Sequence, residues 1–169
     1  AVFKSGWKAE DFLFVFRSGP FLNHQHMDQG SFYLADHGEV FLEERYDGEH
    51  HYYDDPDYRS HAIQAISHNT ILLDRNPQSQ KVGDPAKFAA GLADQARFAR
   101  WLDSDFFAFA SGDLTGVYSE KVKKLQRQVL YIKPRAVLLV DEIIPDKDNV
   151  EVNLLFHTKW KKDLSLIHI

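Results

Sequence analysis

The sequence predicts an all-β domain, built as an antiparallel β-sandwich with long loops. Two observations carry this prediction. Roughly ten short apolar runs recur at spacings of about ten residues, each closed by turn-forming residues, as in sandwiches and barrels. No run of strand type alternates regularly with a helical pattern, so the βαβ units of a parallel sheet are not indicated.

The strands can be justified in order along the chain. The segment 12–16 is entirely apolar and places Phe12, Phe14 and Phe16 on one face, which predicts a strand buried on both faces. The segment 31–44 holds two alternating runs joined around Asp36-His37-Gly38. Because glycine tolerates a positive φ, this junction is typical of a hairpin.

The remaining predicted strands follow the same rules, and they occupy the segments 68–76, 96–113, 126–145 and 150–160. The third of these is the clearest hairpin, with Lys133-Pro134-Arg135 as its turn. The alanine-rich stretch 85–102 also fits a helix, but we prefer strands there. The polar, turn-rich interval 46–60 is expected to be a long loop that carries function.

Composition narrows the class of protein. The chain has 169 residues, 44% of them hydrophobic, which is enough for one domain with a sizeable core. A net charge of -5 with scattered cations gives no basic footprint for nucleic acid. There is no cysteine, so disulfide and thiolate sites are excluded. No apolar run approaches the roughly 18 to 20 residues that a membrane span needs.

One short motif carries the chemistry of the sequence. His24 and His26 are separated by one residue, and on a strand such a pair faces the same side. A third donor could come from Glu43 or Glu44 after the next strand, or from His68. Two or three imidazoles with a carboxylate form a zinc-type ligand set. Because the chain has 9 histidines, the pair could equally be two partly exposed residues on a strand edge.

The wider pattern resembles a known family. The segment "NHQHMDQGSFYLADHGEVFL" followed by "YRSHAIQAISHNTILLDRNPQSQ" is similar to the C-terminal, supersandwich-like β-sandwich of the heparinase II/III-like polysaccharide lyases. The resemblance rests on an HxHxD segment, an acidic residue after the next strand and a later His-Asn-Thr run. We therefore expect residues 1–162 to form that domain, without the N-terminal helical toroid of the family, and residues 163–169 to be an artefactual or truncated tail.

The resemblance implies roles for individual residues. His24 would be the catalytic residue that faces the sugar, and zinc would be held by three ligands, namely His26, Glu43 and His68. Glu44 replaces Glu43 if the register differs by one, and the family has Asp at this point. Asp28 would orient an imidazole from outside the ligand set. Two loop positions would contact substrate, namely Tyr53, or Tyr52 in its place, and Arg59.

The reaction that the resemblance implies is β-elimination across the C4–O bond of a uronic acid. Its partners would be an acidic polysaccharide, such as a glycosaminoglycan or alginate, and the helical toroid, which would supply the base. The isolated chain should therefore be inactive or nearly so, with zinc in a structural role. Such a substrate implies a periplasmic or secreted location.

Two other classes remain open from the residues alone. A cupin-type metal enzyme also uses HxH, but its glutamate follows the pair closely, whereas the first glutamate here is Glu39. A non-catalytic carbohydrate-binding or structural sandwich is the second alternative. Neither explains the HxHxD and His-Asn-Thr segments together.

Overall fold

The protein is an antiparallel β-sandwich, as the sequence predicts. This computed structural model describes residues 1–20, 26–44, 56, 58–81 and 95–158. The first sheet contains β1 (Val2–Lys4), β2 (Leu13–Phe16), β3 (Phe32–Asp36) and β4 (Glu39–Leu42), in that order. All neighbouring strands of this sheet are antiparallel.

A second four-stranded sheet packs against the first. It is formed by β6 (Arg97–Asp103), β7 (Phe107–Asp113), β8 (Val122–Ile132) and β9 (Ala136–Pro145), again in chain order and antiparallel. The strands at 97–113 show that the helical alternative is wrong for this part of the stretch 85–102. Residues 82–94 lie outside the described part of the chain.

A third, two-stranded sheet closes one end of the fold. Its strands are β5 (Ile71–Leu73) and β10 (Val152–Leu154), which pair antiparallel across about half of the chain. Three short helical turns complete the described elements, at Tyr58–Ala62, Ala65–Ser67 and Gly116–Tyr118. The first of these turns overlaps the end of the interval 46–60, which the sequence predicts to be a long loop.

The core between the two large sheets is rich in aromatic side chains, most of them from the first sheet and its flanking residues. The phenylalanines pack against residues of β7 and β8, and the buried cluster consists of Phe3, Phe12, Phe14, Phe16, Phe32, Ala108, Ala110, Val129 and Tyr131. Each fully buried phenylalanine contributes about 1.5–3 kcal/mol relative to an exposed one. The prediction that β2 is buried on both faces is only half correct, because Leu13 and Val15 are partly exposed.

Two glycines have conformations that their positions require. Gly38 has φ of 77° in the turn between β3 and β4, where His37 also has a positive φ of 53°. This is the hairpin turn that the sequence predicts. Gly30 has φ of 84°, and a Cβ at this position would lie 2.5 Å from Leu114 Cδ1. The chain therefore needs glycine immediately before Ser31 and β3.

Candidate functional site

The candidate site lies where the segment after β4 meets the segment before β5. Glu44 follows the last residue of β4 by two positions, and His68 precedes β5. Their side chains are in contact, with Nδ1 of His68 2.5 Å from Oε2 of Glu44. The other oxygen of this carboxylate accepts a hydrogen bond of 3.2 Å from the backbone N–H of Asn69. Glu44 therefore fixes both the ring of His68 and the backbone that follows it.

Asn69 locks this segment onto the first sheet. It is fully buried, and its Nδ2 donates to the carbonyl oxygens of Phe32 at 2.7 Å and Glu43 at 3.0 Å. Its Oδ1 accepts a hydrogen bond of 2.6 Å from the backbone N–H of His157. Because every polar atom of this side chain binds backbone, Asn69 positions the site and is not available to a substrate.

His26 and His68 are brought together, as the motif predicts. Their ring centroids are 5.2 Å apart, and the ring of Tyr58 packs edge-on against His26 at 5.8 Å. The segment that follows His26 is held by a 2.7 Å hydrogen bond from the N–H of Met27 to the carbonyl of Ile63. Two imidazoles from residues 42 positions apart thus share one small volume.

The electrostatic environment keeps His26 neutral. Burial, with smaller contributions from the neighbouring His68 and Arg17, lowers its pKa to about 4, although Glu44 acts in the opposite direction. A neutral imidazole retains the lone pair that a metal or a proton needs. The site is therefore poised to accept an electrophile near neutral pH.

His68 has one nitrogen that the described residues leave without a partner. The residue is 5% exposed, and its Nε2 has no hydrogen-bond acceptor or donor within the described ranges. Since a carboxylate requires a proton on Nδ1, the neutral ring carries its lone pair on Nε2. A buried polar atom in this state is costly unless something binds it.

Asp28 has a different partner from the one predicted. It pairs with Nη1 of Arg17 and accepts a 3.4 Å hydrogen bond from Nε2 of Gln29, so it contacts no imidazole among the described residues. Burial raises the pKa of Asp28 to about 6, and the adjacent Arg17 guanidinium offsets only part of this rise. Asp28 therefore orients no histidine among the described residues, and its role toward an imidazole stays a prediction.

Arg127 braces the site from the second sheet. It is 1% exposed and forms a bidentate pair with Asp141 at 2.8 and 2.9 Å. Its Nη1 donates to the carbonyl oxygens of Gly30 at 2.7 Å and Asn69 at 3.2 Å. One guanidinium thus joins β8 and β9 to both segments that carry the histidines. Arg127 is not among the site residues predicted from the sequence, although an arginine at an inward position of a strand is a signal that could have identified it.

The other predicted site residues have different outcomes. His24 and Tyr53 lie outside the described residues, as does Tyr52, and only the backbone of Arg59 is described. Glu43 contributes its carbonyl oxygen to Asn69, whereas the neighbouring Glu44 contributes its carboxylate to His68. Glu44 therefore contacts His68 at Nδ1, and which of the two glutamates serves as the acidic ligand stays a prediction.

The donor set fits part of what zinc needs. The bare Nε2 of buried His68, beside the ring of His26, is suited to such an ion. The Glu44 carboxylate on Nδ1 is the arrangement that commonly orients a metal-bound histidine. Within the described ranges, no three histidine, aspartate or glutamate side chains are arranged to hold a metal ion. The described residues therefore supply two donors.

Comparison with known proteins identifies the family. The family model "Heparinase II/III-like, C-terminal" matches residues 4–166. The chain therefore belongs to the heparinase II/III-like family, as a member of its C-terminal domain class. A search of curated proteins finds no match.

Solved structures share the fold. A heparan sulfate lyase from Pedobacter heparinus aligns with a TM-score of 0.65 and 22% identity, over 86% of this chain and 21% of the other. A heparinase III aligns with a TM-score of 0.66 and 19% identity, over 86% and 21%. A second heparinase III, the BT4657 gene product, aligns with a TM-score of 0.63 and 20% identity, over 84% and 20%. The chain thus spans about a fifth of these proteins.

In the described part of the chain, no helix has the length and apolar character needed to cross a membrane.

Proposed function

We propose that this chain forms one wall of the active site of a polysaccharide lyase that cleaves uronic-acid-containing polysaccharide by β-elimination. The observation that carries the proposal is the adjacent imidazole pair of His26 and His68, with His68 fixed by Glu44, in a domain of the heparinase II/III-like family. The similar structures named as heparan sulfate lyase and heparinase III support an acidic glycan as substrate.

The chemistry divides between this chain and a second wall. Removal of the C5 proton places negative charge on the uronate carboxylate, and the bond from C4 to the leaving oxygen then breaks. A positioned donor must stabilise that charge, and a base must take the proton. We assign the first task to His24, beside the His26–His68 pair, and the second to a helical domain of the longer polypeptide. The 169-residue chain alone should bind glycan without cleaving it.

We further propose that His26 and His68 hold zinc, with Glu43 or Glu44 as the acidic group. The ion would supply a fixed positive charge that ties the segment of His24 to the His-Asn-Thr segment, a structural role. The bare Nε2 of His68 supports this assignment. We place the whole enzyme in the periplasm or outside the cell, because an acidic polysaccharide would be met there.

Metal content tests the site directly. Elemental analysis of the purified chain after a mild chelator wash should give about one zinc per chain, as expected for one structural site. His26→Ala and His68→Ala should both lose it. His37→Ala is the matched control, because this histidine lies in an exposed turn, and its zinc content should equal that of the unmodified chain.

Glycan binding tests the lyase assignment. Calorimetric titration with uronate oligosaccharides should show binding, while the ultraviolet absorbance of the unsaturated uronate product should not rise with the chain alone. Absence of both zinc and glycan binding would leave a structural sandwich as the better account. Binding of neutral and acidic glycans alike would favour a non-catalytic carbohydrate-binding domain.

A further inference from the structure

Arg17 is a cation held in a fixed position beside the histidine pair. It follows the last residue of β2, and its backbone is pinned on both sides. The N–H of Arg17 donates to the carbonyl of Ser31 at 2.9 Å, and the carbonyl of Arg17 accepts from the N–H of Gly30 at 2.9 Å. The start of its side chain is therefore fixed by Gly30 and Ser31, the two residues that directly precede β3.

The guanidinium of Arg17 is anchored at one nitrogen and open at the others. Nη1 contacts Asp28, whose side chain is 8% exposed, whereas the side chain of Arg17 is 49% exposed. Within the described residues, Nε and Nη2 of Arg17 have no protein acceptor. The pair therefore buries its anion and presents its cation to solvent, although the chain carries a net charge of -5.

The location of Arg17 connects it to the site. Its guanidinium contacts Asp28, which lies two residues after His26 along the chain. In agreement with this contact, Arg17 is one of the charges that lower the pKa of His26. Arginine is suited to bind planar or tetrahedral oxyanions through paired N–H donors. Because Asp28 already restricts its rotamers, part of the entropy cost of ordering the side chain is met before any ligand arrives.

We propose that Arg17 is a substrate-positioning residue that binds an anionic group of the glycan, a carboxylate or a sulfate ester, next to the His26–His68 pair. This inference rests on the proposed function and adds to it a specific anion contact. It predicts that the chain discriminates acidic from neutral glycans through this one side chain more than through its other exposed arginines.

Affinity of the 169-residue chain for size-matched oligosaccharides, measured by calorimetry, tests the inference. Arg17→Gln should weaken binding of a uronate oligosaccharide by roughly tenfold or more, the effect expected for a lost charge-assisted hydrogen bond. Arg17→Lys should recover part of the loss. Neither variant should differ from the unmodified chain in binding a carboxyl-reduced, unsulfated oligosaccharide.

Arg135→Gln is the matched control. Arg135 is 46% exposed and pairs with Asp36 at 3.1 Å, so it resembles Arg17 in exposure and in partner, but it lies at the β8–β9 turn. The carbonyl of Phe32 binds Asn69 of the site. Asp36 lies four residues from Phe32 along β3, which is about 13 Å at the rise of a strand, so the Arg135–Asp36 pair is far from that contact. The control should bind the acidic oligosaccharide as the unmodified chain does, and thermal melting should confirm that each variant is folded.

The outcomes separate this inference from the proposed function. Equal affinity of Arg17→Gln and the unmodified chain for the acidic oligosaccharide would overturn the role of Arg17 and leave the proposed function standing. Failure of the unmodified chain to bind any acidic oligosaccharide would overturn both. An effect seen with a sulfated glycan but absent with an unsulfated uronate glycan would identify a sulfate ester as the group bound, and the reverse would identify the carboxylate.

Discussion

Replacing Arg127 with methionine should destabilise the fold more than any other single charge removal in the second sheet. Methionine keeps much of the volume of the side chain while removing the guanidinium. The change leaves the Asp141 carboxylate, whose side chain is 11% exposed, without the bidentate partner at 2.8 and 2.9 Å. It also removes the donor to the carbonyl oxygens of Gly30 and Asn69.

The magnitude follows from what remains buried. Removing one partner of a buried ion pair typically costs about 3–5 kcal/mol, because the other charge stays desolvated and unpaired. The orphaned carbonyl groups add to this cost where water does not reach them. We therefore expect Arg127→Met to lower the free energy of unfolding by about 3–5 kcal/mol, a large part of the 5–15 kcal/mol typical of a domain.

Lys124→Met supplies the matched control. Lys124 lies on the same strand and pairs with Glu142 on the same neighbouring strand at 2.8 Å, but the two side chains are 37% and 46% exposed. A pair of this kind contributes about 0–1 kcal/mol. Urea unfolding followed by circular dichroism would measure both variants. A difference between them of less than about 1 kcal/mol would refute the argument that burial decides the cost.

Adding Asp141→Leu to Arg127→Met tests the cause. If the cost arises from an abandoned buried carboxylate, removing that carboxylate should restore most of the lost stability. The double variant should then be more stable than Arg127→Met alone. If it is equally or less stable, the carbonyl contacts of Arg127 outweigh its ion pair.

Two further changes test the segment before β3. The raised pKa of Asp28, about 6 against 3.8, means that its contribution to stability is fully present below pH 3.8 and is lost as the pH rises through 6. Asp28→Asn should therefore gain stability relative to the unmodified, metal-free chain over this range, by up to about 3 kcal/mol in urea unfolding; a constant difference would contradict burial as the dominant cause. Gly30→Ala should cost more in thermal unfolding than Gly38→Ala, because both have positive φ but only the first would place Cβ against Leu114. Equal costs would show that the Leu114 side chain moves to make room for the added Cβ.

Local patterns account for most of the predicted fold. The hairpin around His37-Gly38 depends on a turn whose positive φ values glycine favours, so neighbouring residues decide it. The pairing of β5 with β10 joins Leu72 to Asn153, and no local pattern specifies that contact. The partial exposure of the second face of β2 was likewise not predictable, because an apolar run does not show whether other elements will cover both of its faces.

The acidic residue of the site shows where strand alternation stops being informative. The β3–β4 ladder contains an irregularity between Leu34 and Ala35, and the strand ends at Leu42. Because both events break the period of two, counting from the hairpin cannot decide between Glu43 and Glu44. The structure places the carboxylate of Glu44 on His68. His26 and His68, by contrast, were predictable from motifs that contain them.

The sequence pattern does not assign a role to either Arg127 or Arg17. Arg127 occupies an inward position of β8, where an apolar residue would ordinarily be expected, and only the contacts with Asp141 and two carbonyl oxygens explain it. Arg17 follows a strand and reads as a common surface cation. The function of a long cation depends on which acceptor it reaches, and that is a property of the folded chain.

These contacts imply that the site is ordered before any ligand binds. Arg127 holds the carbonyl of Asn69, whose side chain is fully engaged, and Glu44 binds both Asn69 and the ring of His68. His68 is therefore fixed by neighbours that belong to both large sheets. Binding of a ligand at its Nε2 would therefore carry a small entropy cost for ordering this ring. The described part of the sandwich thus contributes a preformed wall to the proposed site.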